Sequence, residues 1–166
     1  MASVPTLARP PLASFLERHS RWIVAGLLLL FAAMAWSAVR EKSTTFDEIA
    51  HLTAGTAYWK TGDFRLHPEN GVLPQRLESL PMVLMGANFP ATDQEAWWTS
   101  DVWRLGYQFF YTLGNNLERM LWWSRGMVVV LGVLLGAIVY IWSRRLFGTV
   151  GGFVSLVIYV FLPSIL

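Results

Sequence analysis

The sequence predicts an all-α integral membrane protein, with three transmembrane helices and a helical outer loop between the first and the second. Three observations carry this. Hydrophobic residues make up 54% of the 166 and charged residues 14%, against about a quarter charged in ordinary globular chains. Three apolar stretches come close to the ~30 Å needed to cross a bilayer core. Nine Trp, ten Phe and five Tyr form an aromatic load that suits the membrane boundary.

Residues 1–21 read as a cytoplasmic N-terminus in which Arg9, Arg18 and Arg21 outnumber Glu17. Residues 22–39 form the first span, apolar from Trp22 to Val39 and about 27 Å long as a helix. A cleaved signal peptide has a shorter apolar run and a small-residue cleavage site, which Trp36 spoils. Residues 40–120 are the outer loop. Residues 121–142 form the second span, continuous from Gly126 to Trp142. Ser143-Arg144-Arg145 is a cytoplasmic turn at 143–145, and residues 146–166 are a third span within which the chain ends. Basic residues in short loops stay cytoplasmic, so the arginines at both places put the outer loop on the periplasmic side of what is expected to be a bacterial inner membrane. The absence of a polar tail after Phe161-Leu162-Pro163 points to the N-terminal part of a larger protein.

The outer loop carries helix signals. Thr45-Phe46-Asp47-Glu48 is a capping box, in which hydroxyl and carboxylate each satisfy a backbone N–H. The helical pattern runs from there to Lys60, and Gly62 supplies the left-handed stop. Phe46, Ile49, Ala50, Thr53 and Ala57 share one stripe of this helix, and Asp47, His51, Ala54 and Tyr58 share the next. After the turn formers His67-Pro68-Glu69-Asn70-Gly71, a second helix starts at Leu73 or Pro74. Its apolar line is Leu73, Leu77, Leu80 and Leu84, Pro81 kinks or ends it, and it lies in the interface plane. Thr92-Asp93-Gln94-Glu95 is a second capping box. The aromatics after it (Trp97, Trp98, Trp103, Tyr107, Phe109, Phe110 and Tyr111) read as an interfacial belt.

Several chemistries are excluded. A net charge of +2 without a Lys/Arg run gives no nucleic-acid partner, and the lack of cysteine removes disulfides and thiol chemistry. No nucleophile elbow or glycine-rich phosphate loop is present. Glu48-x-x-His51 with His67 could begin a metal site, but zinc sites use at least three ligands in a recognisable arrangement, so no metal and no cofactor is assigned. The adjacent acids Asp47 and Glu48 remain, although acids at a helix N-terminus are also favoured by the dipole.

The order of features then resembles a known group. A span is followed by Phe46-Asp47-Glu48-Ile49-Ala50-His51, by Gly62-Asp63-Phe64, and by His67-Pro68-Glu69-Asn70-Gly71-Val72-Leu73-Pro74-Gln75-Arg76. This is similar to the N-terminal part of the polyprenyl-phosphate-sugar-dependent membrane glycosyltransferases, the group of protein O-mannosyltransferases and aminoarabinose transferases with the GT-C fold. The family's His-Pro-Pro-Leu stretch departs here to His67-Pro68-Glu69-Asn70. The resemblance implies a lipid-linked sugar as donor, a hydroxyl acceptor on protein, lipid or glycan, and inversion at the outer face. It implies Asp47, with Glu48, as the catalytic carboxylates, and His51, His67, Arg76 and Arg125 as substrate-binding residues. Family members carry many more membrane helices, so this chain is expected to be inactive alone. Two rivals stand beside it. One is a small non-enzymatic membrane protein whose outer loop docks a partner, the other a metal-dependent hydrolase using Glu48, His51 and His67.

Overall fold

The computed structural model describes residues 11–40 and 42–162, and these are all-helical. In chain order they form α1 (Pro11–Arg40), α2 (Phe46–Thr61), α3 (Val72–Leu84), α4 (Glu95–Trp98), α5 (Val102–Tyr107), a single π-helical turn at Gln108–Thr112, and α6 (Leu117–Phe161). Two of them, α1 and α6, are long and apolar enough to cross a membrane. Arg9 and residues 163–166, on which the expected chain ends turned, lie outside the described residues. The chain divides into two units, one of residues up to Ser37 and from Val130 on, the other of Ala38–Val129.

In the first unit α1 is already helical from Pro11, so much of the expected N-terminal tail continues the helix. The 45 residues of α6 would reach about 67 Å if straight, twice a bilayer core. They do not run straight. Gly148 has φ 74 and ψ −175, a conformation that a side chain would strain, and the residues after it fold back along those before it. Tyr159 donates to the Gly132 carbonyl at 2.7 Å, and the Ser143 and Ser155 hydroxyls share a hydrogen bond of 2.8 Å. The turn therefore falls at Gly148. Ser143–Arg145, expected as the connection, are helical, because those three residues tolerate the helix and glycine alone accepts the reversal readily. Small residues let the helices approach. A Cβ on Gly132 would stand 2.8 Å from Phe31 Cε1, and one on Gly136 would stand 2.9 Å from both Leu28 Cδ2 and Tyr159 Cε1. Close backbone approach at glycines is how apolar helices associate without a hydrophobic driving force.

The second unit is built around α2. The Thr45 N–H donates to Glu48 Oε2 at 2.8 Å, which closes the predicted capping box, and Gly62 ends the helix with φ 69 and ψ 7. Ala50, Ala54, Ala57 and Tyr58 pack with Leu66, Trp97 and Leu105 in one core, while Leu52, Met82, Phe109, Phe110, Met120 and Leu121 form a second. Both flanks of α2 are crossed at glycine. A Cβ on Gly55 would run into the Gln75 carbonyl and the Ser79 hydroxyl of α3, and one on Gly106 of α5 into the Ile49 side chain.

This close approach explains where α3 departs from expectation. Its buried residues are Gln75, Ser79, Pro81 and Met82, whereas Leu73 and Leu84 of the predicted apolar line are 68% and 77% exposed. A backbone contact at Gly55 leaves no depth for a row of leucines. Pro81 does not end α3, since it falls in the last turn, where the lost hydrogen bond is single and its ring is buried.

The second capping box does not form. Gln94 stands at the N-cap of α4, Ser100 takes φ 56, and α5 begins afresh at Asp101, whose side chain accepts from the Arg104 N–H. The aromatics divide accordingly. Trp97, Phe109 and Phe110 are core, and only Trp98, Trp103, Tyr107 and Tyr111 face outward, so the belt expected of all seven holds for four at most.

Candidate functional site

Glu48 leads into the site because two demands meet on it. It closes the capping box of α2, and it forms a bidentate pair with Arg125 (Nε to Oε1 at 2.7 Å, Nη2 to Oε2 at 2.9 Å). Arg125 also donates to the carbonyls of Val39, Lys42 and Ser43 at 2.9, 2.7 and 2.9 Å. All five guanidinium N–H groups are thus engaged. The Val39 carbonyl belongs to the last turn of α1, where helix carbonyls lack internal partners. Burial raises Glu48, but hydrogen bonds from Arg125 and from the Thr45 N–H outweigh it and hold the carboxyl below its usual 4.5. The pair is a tie between segments. As folded, Arg125 has no N–H left for a phosphate, and both oxygens of Glu48 are already engaged by Arg125 and the Thr45 N–H.

Asp47 is placed otherwise. It is exposed and, among the described residues, takes part in no hydrogen bond or ion pair. Phe46 beside it stacks on Trp103 of α5, ring centroids 4.0 Å apart, and both rings are open to solvent. One turn along α2, His51 brings Nδ1 to 3.4 Å from Glu78 Oε1 of α3, and its ring lies 5.2 Å from that of His67. Burial lowers the His51 pKa and His67 adds to this, while Asp47 acts against it. Burial pushes Glu78 up to about 7, with the Glu48 carboxylate contributing. Glu78 Oε1 is buried without a hydrogen bond. Both members of the contact are therefore driven toward their neutral forms, and at 3.4 Å, without a hydrogen bond, it is a polar contact rather than a salt bridge.

His67 sits at φ 54, a conformation enriched in His among non-glycine residues but still sparsely populated. Its ring nitrogens lie 3.1 Å (Nδ1) from Gln75 Nε2 and 2.9 Å (Nε2) from Asn70 Nδ2, and a neutral imidazole accepts from one of these amides. Arg76 lies apart from the imidazoles in its contacts, with its guanidinium carbon 3.9 Å above the Trp59 ring and Nε buried without a partner. Of the six residues singled out from sequence, Asp47, His51 and His67 share one locality, Glu48 and Arg125 lock each other, and Arg76 packs on Trp59. Sequence reasoning missed Glu78 and Gln75. The spacing Gln75-x-x-Glu78 on one helical face was the available signal, masked by the leucine pattern between them. Among the described residues no three His, Cys, Asp or Glu side chains are grouped to hold a metal ion, and the hydrolase rival loses Glu48 to Arg125.

The class these observations define is an all-helical protein with two helices able to cross a membrane and a helical unit bearing an exposed acid beside a half-buried imidazole–carboxyl contact. Compared with known proteins, the chain matches no family model, no curated protein and no solved structure.

Proposed function

We propose that the chain is a three-span membrane protein, with α6 supplying two spans around Gly148, the basic N-terminal end cytoplasmic and Ala38–Val129 on the outer face of a bacterial inner membrane. In this proposal the outer unit belongs to a glycosyltransferase of the polyprenyl-phosphate-sugar-dependent kind. Asp47 accepts the proton of an attacking hydroxyl as the sugar leaves its phosphate with inversion. The supporting observation is the exposed Asp47, without a hydrogen bond or ion pair among the described residues, one turn from a His51 that meets His67 and Glu78. A general base needs a carboxylate open to the proton it takes, and Asp47 is exposed whereas both oxygens of Glu48 are engaged by Arg125 and the Thr45 N–H. The exposed Phe46–Trp103 stack offers a sugar ring an apolar face, and Arg76 is the cation left to meet a phosphate. Glu48 and Arg125 then act as positioning residues.

A binding readout, with a transfer assay beside it, tests this. A photoreactive polyprenyl-phosphate sugar, added to membranes holding the protein, should label residues within 45–80, compete with unmodified donor, and lose most labelling on Arg76→Gln with unchanged melting, while Asp47→Asn keeps the labelling and loses transfer to the acceptor. Labelling confined to α1 and α6, or indifferent to Arg76→Gln, would remove this unit from donor binding, and transfer by Asp47→Asn at the wild-type rate would remove Asp47 from the chemistry. The non-enzymatic alternative, an outer unit that docks a partner, draws on the exposed Leu73 and Leu84 of α3. It predicts no competed labelling at all.

A further inference from the structure

In the first unit, at the end away from Gly132, a cleft of about 270 Å³ opens between α1 and the segment of α6 before Gly148. Its lining is Ser20, Arg21, Val24, Ala137, Tyr140, Ile141 and Arg144. Two arginines from different helices converge on it, and among the described residues neither has a carboxylate partner. The Tyr140 hydroxyl accepts from Arg144 Nη1 at 3.4 Å, which turns that guanidinium along the cleft wall. Apart from the arginines and the Ser20 and Tyr140 hydroxyls the lining is apolar. Val24 lies about one turn from Arg21, and Ile141 and Ala137 lie one and two turns from Arg144. Trp22, next to Arg21, and Trp142, two residues before Arg144, are 68% and 67% exposed, as aromatic anchors at a membrane boundary are.

From this gradient we infer that the cleft is a binding site for one anionic phospholipid, its phosphate held by Arg21, Arg144 and the Ser20 hydroxyl and an acyl chain laid along Val24, Ala137 and Ile141. A phosphate oxygen accepts from a guanidinium more strongly than from neutral donors, and basic pockets between spans are where acidic headgroups gather. A free phosphate would satisfy the arginines but leave the apolar half of the cleft wet. The inference rests on the three-span reading and is independent of the transferase one.

The full chain is reconstituted in nanodiscs of phosphatidylcholine doped with phosphatidylglycerol, and bound lipid is counted by native mass spectrometry. One retained phosphatidylglycerol is expected. Affinity should fall about tenfold on Arg21→Gln or Arg144→Gln, consistent with losing a charge-assisted contact, and hardly at all on Arg145→Gln. Ala137→Phe, which fills the apolar end without touching charge, should also evict it. Equal losses with Arg145→Gln would overturn the inference in favour of general surface attraction, and displacement by millimolar inorganic phosphate with no effect of Ala137→Phe would overturn it in favour of a phosphate-only site. Failure to enter nanodiscs would instead sink the membrane assignment itself.

Discussion

Replacing Arg125 with Met removes the tie at its centre and keeps the stem's volume. Arg125 is 10% exposed and Glu48 23% in their side chains, and stripping one member of a buried pair typically costs about 3–5 kcal/mol because the other charge is stranded. Glu48 retains some water and the Thr45 N–H, and the Lys42 and Ser43 carbonyls are near enough to the surface to rehydrate. The low end, about 3 kcal/mol, is therefore expected. In a unit of about a hundred residues that lowers the melting temperature by roughly 12–24 °C. A local readout is available, because Arg125 holds the carbonyl of Lys42 and trypsin cuts after lysine. Cleavage there should quicken on the order of a hundredfold if opening is in fast exchange. Adding Glu48→Gln to Arg125→Met should recover part of the loss, since the stranded charge is gone. Arg125→Lys should not, because a point charge cannot reproduce five forked donors. Unchanged melting and cleavage in Arg125→Met, with donor labelling lost, would refute the tie and return Arg125 to the phosphate.

Glu78 and Glu48 give opposite pH dependences. The folded protein keeps the Glu78 proton up to about 7, above the usual 4.5, so its stabilising influence is full below 4.5 and is lost as pH rises to about 7, by up to about 3 kcal/mol. Glu78→Gln should flatten urea stability between pH 5 and 7.5, and an unchanged slope would mean the carboxyl is solvated. Glu48 is depressed, so its contribution is present above 4.5 and disappears as pH falls through the lower folded value. Acidification below 4.5 should lower the melting temperature of the wild type but add little in Arg125→Met. Gly55→Ala should destabilise by about 1–3 kcal/mol through overpacking against the Gln75 carbonyl. A neutral result would show that α3 can slide.

Local signals were legible and long-range ones were not. The capping box at Thr45–Glu48 and the Gly62 stop depend on residues within one turn of each other, and both stand as read. Asp47 and His51 fall on one face by helical periodicity alone. The second capping pattern at Thr92–Glu95 fails because the chain there must turn Trp97 into a core with Ala54 and Leu105, a demand no four-residue pattern carries. The leucines of α3 misled for a related reason. Burial on that helix is decided by the closeness of Gly55 on α2, and a residue without a side chain announces nothing in a hydropathy reading. Glu78 was hidden behind the same pattern, and the locking of Glu48 by Arg125 spans 77 positions, beyond any local inference.

That separation bears on how the protein is made. Glu48 leaves the ribosome long before Arg125 does, so for the interval in which those residues are synthesised the capping acid has no cation and the end of α1 no cover. Closing so long a loop is entropically expensive by only a few kcal/mol, growing slowly with length, yet contacts of this span are the slow ones. The Ala38–Val129 unit is therefore a late-maturing structure, sealed only when the start of α6 arrives, and substitutions that delay the arrival of residue 125 should show first in the yield of mature protein and only afterwards in its behaviour once formed.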